Sequence, residues 1–210
     1  MANYVSEAVV KRLPSYYRYL KELEQEGVAR ISSHALAERM LLTASQIRQD
    51  INCFGGLGRQ GYGYSVSGLR AHIGHIIGLD TTHKMIILGG GNIGRAVAFS
   101  DSFKTNGFET VAIFDTDVGK VGTTIGNLKV LDMSEIREYI KNNQVDIAVL
   151  AVPLVVAQDT ANMLVNAGVR AFWNFSPIDL SLPEEVSVVN VHLDEGLQVL
   201  SYRMKQKEDK

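Results

Sequence analysis

Apolar residues recur at three- and four-residue spacing through the first third of the chain. After about residue 84 they gather instead into short unbroken runs, separated by helical stretches. The first segment starts near Ser6 and carries Tyr16, Leu20 and Leu23 to Gly27, a C-terminal stop; Pro14 predicts a break or a fresh first turn within it. A second helix opens at Ser32-Ser33 and covers His34 to Leu41, with Ala35, Leu36 and Met40 on one face. A third opens with Thr43-Ala-Ser-Gln46, a capping-box spacing, and covers Ala44 to Cys53. Its Ile47 and Ile51 face inward, while Ser45, Gln46, Arg48, Gln49 and Asn52 face out.

Two short helices joined by the tight Leu41-Leu42-Thr43 connection predict a helix-turn-helix over about Pro14 to Phe54. The outward residues of the third helix suit base readout, since Arg pairs with guanine edges and Gln or Asn with adenine. Any small three-helix domain with a solvated polar face gives the same spacing, so the pattern alone leaves both readings open. The next segment weighs toward DNA. Gly55, Gly56, Gly58, Gly61 and Gly63 fall within nine residues, interleaved with Phe54, Tyr62 and Tyr64. A flexible linker has no use for three aromatics that need packing. A tight β-hairpin with Arg59-Gln60 at its tip does, and such a wing places a cation in a narrow minor groove. Ser67 to Leu79 reads as a connecting helix, with the domain boundary between Tyr64 and His83.

The second half opens on a nucleotide motif. The apolar strand Lys84 to Leu88 runs into Gly89-Gly90-Gly91-Asn92-Ile93-Gly94, and Arg95 to Phe99 continues as a helix. This is G-x-G-x-x-G with a strand before and a helix after: one glycine for the turn, one for close approach of a pyrophosphate, one for helix–strand packing. The next strand, Glu109 to Phe114, ends in Asp115, 21 residues past Gly94. A carboxylate there accepts the adenosine ribose hydroxyls and repels a 2′-phosphate, which favours NAD(H) over NADP(H). Val145 to Ala151 reads as a buried parallel strand ending in Val152-Pro153 at the sheet's carboxyl edge. A helix over Val155 to Ala167 follows, then a strand from Val169 to Phe172 leading into Asn174-Phe175-Ser176-Pro177, and a strand over Val186 to Val191. The last helix, about Asp194 to Lys207, carries Leu197, Val199, Leu200 and Met204; either a second subunit or its own sheet would bury them. The expected fold is α/β: an N-terminal winged helix-turn-helix domain with its linker helix (1–78), a Rossmann-type doubly wound parallel sheet (79–192) and a C-terminal dimerisation helix (193–210).

Composition adds two points. The 210 residues carry a net charge of −2, but residues 1–75 hold nine Lys/Arg against six Asp/Glu, and the rest twelve against seventeen. A polyanion partner is therefore expected for the first part only. The longest apolar run, Ile147 to Ala157, has 11 residues and is broken by Pro153, short of the roughly 20 a membrane span needs. With no basic start followed by an apolar core, and a single cysteine, Cys53, a cytoplasmic location is expected. Cys53 is expected to be packed.

The order Lys11-Arg-Leu-Pro-Ser-Tyr-Tyr-Arg18, Ser45-Gln-Ile-Arg-Gln-Asp50, Phe54 to Tyr64, Gly89 to Gly94, Phe114-Asp115, Ala151-Val-Pro153 with Ala157-Gln158, Asn174 to Pro177 and Leu197 to Tyr202 resembles one family over nearly the whole chain: the redox-sensing transcriptional repressor Rex. The resemblance implies a homodimer with exchanged C-terminal helices. It implies binding of operator DNA at low NADH/NAD⁺ and release as NADH accumulates. It places the dinucleotide on Gly89, Gly90, Gly91, Asn92, Ile93, Gly94, Asp115, Val152, Pro153, Asn174, Phe175 and Ser176. DNA falls to Arg12, Ser45, Gln46, Arg48, Gln49, Arg59 and Gln60. Ser100 stands where many members have Tyr, and His192 where many have Asp; in the family those positions couple the nicotinamide site to a basic residue matching Arg12.

Two readings from other classes remain. A dehydrogenase needs a substrate domain and a proton-transfer group, and little chain is left for either. His72 and His75, at i, i+3 on the linker helix, have the spacing of a metal pair but no Cys or acidic companion, so a solvated face is expected. A CoA-binding module shares this Rossmann variety, and the ribose role of Asp115 argues against it. Neither an enzyme nor a metal protein is expected.

Overall fold

A computed structural model describes residues 5–55 and 62–208, and divides between Thr81 and Thr82 into two compact units. Arg59 and Gln60, expected at the wing tip, lie outside the described residues.

The first unit is built on α1 (Glu7–Gln25), α2 (Ser33–Met40), α3 (Ala44–Asn52) and α4 (Val66–Ile76). Ser32 and Thr43 cap α2 and α3, each side chain accepting an N–H three residues on (Ala35 and Gln46). Leu13, Tyr16, Leu20, Leu23, Leu36, Ile47, Ile51 and Leu69 share one core. That core explains a difference from expectation. Pro14 does not break α1; the helix runs through it, because Leu13 before it and Tyr16, Leu20 and Leu23 after it are all buried in the core shared with α2–α4. Pro14 itself is exposed, so the missing N–H costs only one helical bond. Between α2 and α3, Leu41 takes a left-handed conformation, φ 55°.

The wing base is a two-stranded antiparallel pair, β1 (Arg30–Ile31) with β2 (Tyr64–Ser65). Gly63 precedes β2 at φ +66°, and a Cβ there would stand 2.5 Å from the Ile31 carbonyl oxygen, so a side chain is excluded. Arg30 donates to the carbonyls of Tyr62 and Gly63, at 2.9 and 3.2 Å. Tyr64 is buried and Phe54 packs on the core, but Tyr62 is exposed, against the expectation that all three aromatics pack.

The second unit holds a seven-stranded sheet in the order β5-β6-β4-β3-β7-β8-β9. These are β3 (His83–Leu88), β4 (Phe108–Asp115), β5 (Thr124–Ile125), β6 (Leu128–Asp132), β7 (Ile147–Leu150), β8 (Ala171–Asn174) and β9 (Ser187–Asn190). Every pairing is parallel except β5 with β6. Helices α5 (Asn92–Ala98), α6 (Asp101–Thr105), α7 (Ile136–Asn142) and α8 (Leu154–Asn166) connect the strands, and α9 (Glu195–Glu208) ends the chain. Alternate residues of each strand feed two cores, Ile86, Leu88, Phe114, Ala148 and Leu150 on one side, Met85, Ile87, Ile113 and Val149 on the other. Both faces are covered, as a doubly wound sheet requires. Chain order reverses at β3, where β4 lies on one side and β7 on the other; the crevice beyond their carboxyl ends is where such sheets hold ligands.

Candidate functional site

At that crevice β3 delivers Gly89, whose N–H bonds the Phe114 carbonyl at the end of β4. Gly89 has φ +100°, and a Cβ would stand 2.3 Å from the Ala151 carbonyl oxygen after β7. A Cβ on Gly94 would stand 1.9 Å from the Gly89 carbonyl oxygen, so this glycine lets α5 pack directly on the loop. Gly91, by contrast, faces open space. The loop is thus tightest where it meets its own fold and open where a ligand would approach, with the amino end of α5 behind it.

Asp115 is only 7% exposed and closes the site from β4. Its Oδ2 accepts the Gly90 N–H at 2.7 Å and Lys120 Nζ at 3.1 Å; its Oδ1 accepts the Asp117 N–H at 2.8 Å. Burial works to raise its pKa. The bonds from Asp117, Lys120 and Gly90, with the Lys120 charge, outweigh burial and hold the carboxyl below the usual carboxylate range. Sequence reasoning missed Lys120, although a Lys five residues after the carboxylate at the end of β4 is a readable signal.

Across the crevice, Val152 is half-buried and Pro153 exposed. Asn174 and Ser176 have buried side chains whose polar atoms are turned inward: Asn174 donates to the Ile178 carbonyl and the Asn190 side chain and accepts the Ser176 N–H, and Ser176 donates to the Val152 carbonyl. They shape the loops after β7 and β8 rather than present a polar group. Phe175 stacks edge-on to Trp173, and with Ile93, Ala96, Val97, Phe103 and Leu193 they line an open, almost wholly apolar groove beside α5. Ser100 is on the same groove. His192, next to Leu193, pairs with Asp179 at 2.9 Å; the bond and charge of Asp179, assisted by Glu195 and Asp194, raise its imidazole pKa above 6.5 despite some desolvation.

In the first unit, Ser45, Arg48, Gln49 and Asn52 are exposed on α3 and Gln46 half so. An open groove between α1 and α3 brings Arg12, Thr43, Ser45, Gln46 and Gln49 together, while Arg48 stands apart and donates to Ser33 at 3.1 Å. Arg12 does not simply face out. Its Nε and Nη2 grip both oxygens of Asp50, at 2.7 and 2.8 Å, and Tyr16 donates to the same carboxylate at 2.8 Å. Asp50 is 3% exposed, a buried carboxylate on the inward face of α3 that helical spacing did not single out. The Asp50 bond raises the Arg12 pKa, against a lesser desolvation, and burial with that bond raises the Tyr16 pKa. Arg12 therefore clamps α3 to α1 while about a quarter of its side chain stays exposed.

Cys53 is exposed rather than packed, its thiol donating to the Gln49 carbonyl. His72 bonds the Phe54 carbonyl and His75 pairs with Asp80, and no metal-binding cluster exists among the described residues. Nor does any helix among them have the length and apolar content to cross a membrane.

Comparison with known proteins agrees with both halves. Residues 80–178 match the family "CoA binding domain", and residues 4–52 match "Putative DNA-binding protein N-terminus". A redox-sensing transcriptional repressor Rex from Caldanaerobacter subterraneus subsp. tengcongensis is 49% identical over 204 residues, 97% of this chain and 91% of that one. Two crystal structures of RSP, a Rex-family repressor, superpose over almost the whole chain. The complex with β-NAD⁺ and operator DNA gives a TM-score of 0.93 at 48% identity, covering 98% of this chain and 94% of that one. The complex with β-NADH gives 0.90 at 46%, covering 97% and 96%. With that identity across both domains, the chain belongs to the Rex family of redox-sensing transcriptional repressors.

Proposed function

We propose that this protein is a cytoplasmic repressor that binds operator DNA as a homodimer and leaves it when NADH accumulates. The observation that carries the reading is the presence, on one chain, of an Asp115-closed glycine loop and a helix-turn-helix with an exposed polar face. RSP, 48% identical, has been crystallised with β-NAD⁺ and operator DNA, and also with β-NADH. The loop 89–94 and α5 take the pyrophosphate and Asp115 the adenosine ribose. The nicotinamide lies toward Val152, Pro153 and Phe175. The loop fits a dinucleotide because Gly91 is open while Gly89 and Gly94 admit no side chain. When bound, the dinucleotide supplies a signal rather than a reaction: a ring that is cationic in NAD⁺ and neutral in NADH. An apolar surround penalises only the cation, and a tenfold preference needs about 1.4 kcal/mol. Release further requires that NADH bind the DNA-incompetent arrangement of the dimer more tightly than the competent one.

Arg48, with Ser45, Gln46 and Gln49, reads base edges, Arg59 and Gln60 enter the minor groove, and Arg12 lies beside the reading surface. Residues 1–78, 79–192 and 193–210 act as DNA-binding domain, dinucleotide domain and dimer element. Leu197, Val199, Leu200 and Met204 are all exposed on α9, and exchange with a second copy of this chain would cover the face that Leu197, Leu200 and Met204 share. Binding of NADH to the parent and to Asp115→Ala, with operator affinity of Arg48→Ala, tests the assignment. The first change weakens NADH, and the second costs about 1–3 kcal/mol in operator binding and relaxes one position. Unchanged values in either would remove that residue from its role.

A further inference from the structure

We infer that Lys120 is a built-in competitor for the ribose carboxylate, which must be displaced for a dinucleotide to bind and which sets how strictly a ribose phosphate is refused. The inference rests on the dinucleotide reading above. A carboxylate offers about four acceptor positions. On Asp115, Oδ2 already receives Gly90 N–H and Lys120 Nζ, and Oδ1 receives Asp117 N–H. One position remains, and a ribose that engages through both hydroxyls needs two. Of the three donors, two are backbone amides fixed by the loop and the strand end. Lys120 alone sits on a flexible stem, with 40% of its side chain exposed.

The turn that follows β4 holds the lysine there. The Lys120 and Val121 N–H groups both donate to the Asp117 carbonyl, at 2.8 and 3.0 Å, and Gly119 N–H donates to Asp117 Oδ1 at 2.9 Å. The turn also provides an alternative seat, since Asp117 Oδ2 lies 3.6 Å from Lys120 Nζ. Displacement therefore trades one carboxylate for another and keeps the cation beside the site. The pKa shifts agree: against burial, Asp115 is lowered by the Asp117 N–H first and then by the Lys120 bond, and Lys120 is raised chiefly by its bond to Asp115.

Two consequences have opposite sign. Removing the lysine frees Oδ2, so a ribose with two free hydroxyls binds more tightly. It also leaves Asp115 and Asp117 without their cation, so a ribose carrying a phosphate binds less tightly. With the lysine end 40% exposed, water screens the pair, which sets the scale at about two- to fivefold in each direction.

The test is calorimetric binding of NADH and NADPH to the full chain as parent, Lys120→Met and Lys120→Arg. A side-chain carboxyl NMR titration of Asp115 is run alongside in the absence of dinucleotide. Lys120→Met tightens NADH, weakens NADPH and moves the Asp115 titration upward. Lys120→Arg, which keeps the charge and the donors, follows the parent. Both dinucleotides changing in the same direction, or neither changing, overturns the role of Lys120. A parent that binds no NADH overturns the dinucleotide reading itself, and the inference with it.

Discussion

Removing the Asp50 carboxylate tests whether α3 is held by charge or by packing alone. In Asp50→Ala, the Arg12 guanidinium loses both its bonds, and the Tyr16 hydroxyl, on a residue with 0% exposure, loses its acceptor. Deleting one partner of a fully buried ion pair costs about 3–5 kcal/mol. The Arg12 side chain is 26% exposed, so water recovers part of its hydration. The stranded hydroxyl adds about 1–3 kcal/mol. The balance is about 2–4 kcal/mol for Asp50→Ala, and less for Asp50→Asn, whose amide oxygen still accepts a bond. Hydrogen exchange of the α3 amides reads this locally. Protection over 44–52 should fall by a factor of about thirty to several hundred, at a factor of ten per 1.4 kcal/mol, while peptides of β3 and β4 keep theirs. Adding Arg12→Met should cost much less on the Asp50→Ala background than alone, because the two share one interaction. A loss below about 1 kcal/mol, or strict additivity, would show that α3 is held by Ile47 and Ile51 and not by the clamp.

Gly94→Ala forces a Cβ into the Gly89 carbonyl and should reduce NADH affinity at least tenfold, an effect of about 1.4 kcal/mol or more; parental affinity by calorimetry would mean that the loop yields. Leu41→Gly relieves a left-handed residue that is 93% exposed, and should raise stability to urea by about 0.5–1 kcal/mol; a loss would show that the Leu side chain is needed in the turn. The His192–Asp179 pair raises the imidazole pKa, so its contribution is fully present below about 6.5, the ordinary value, and fades as pH rises through the higher folded value. Asp179→Asn should lower the His192 titration followed by NMR, and a titration unchanged from the parent would assign the shift to Glu195 and Asp194 instead.

How far the chain could be read beforehand depended on whether a residue's partners were local. The strand–glycine–helix passage at 84–99 is local, and its geometry follows from loop sterics that any reader of Gly89, Gly91 and Gly94 can work out. The caps at Ser32 and Thr43 are equally local. The β5–β6 hairpin is not legible in the sequence, because the apolar residues of Thr124–Asp132 fall in pieces of one or two and β6 exists by pairing with β4, through Ile113 with Val130 and Phe114 with Leu131. Asp50 carries no local signal, because a charged residue at an inward helical position makes sense only with Arg12, 38 residues away. Pro14 predicts a break or a fresh first turn because its local penalty is visible in sequence, whereas the long-range burial of Leu13, Tyr16, Leu20 and Leu23 that overrides it is not. Lys120 differs from these, since the turn 117–120 that folds it back is local and its proximity to Asp115 was available to inspection.

The central claim is that the redox state of a dinucleotide decides DNA occupancy. The direct measurement is titration of NADH and, separately, NAD⁺ into the complex of this protein with operator DNA at fixed salt, following release by fluorescence anisotropy. The two dinucleotides differ only in the nicotinamide ring, so the contacts proposed for the 89–94 loop and Asp115 are common to both. The account predicts release by NADH at concentrations at least tenfold below those at which NAD⁺ acts. Equal potency of the two, or release by neither, would contradict it.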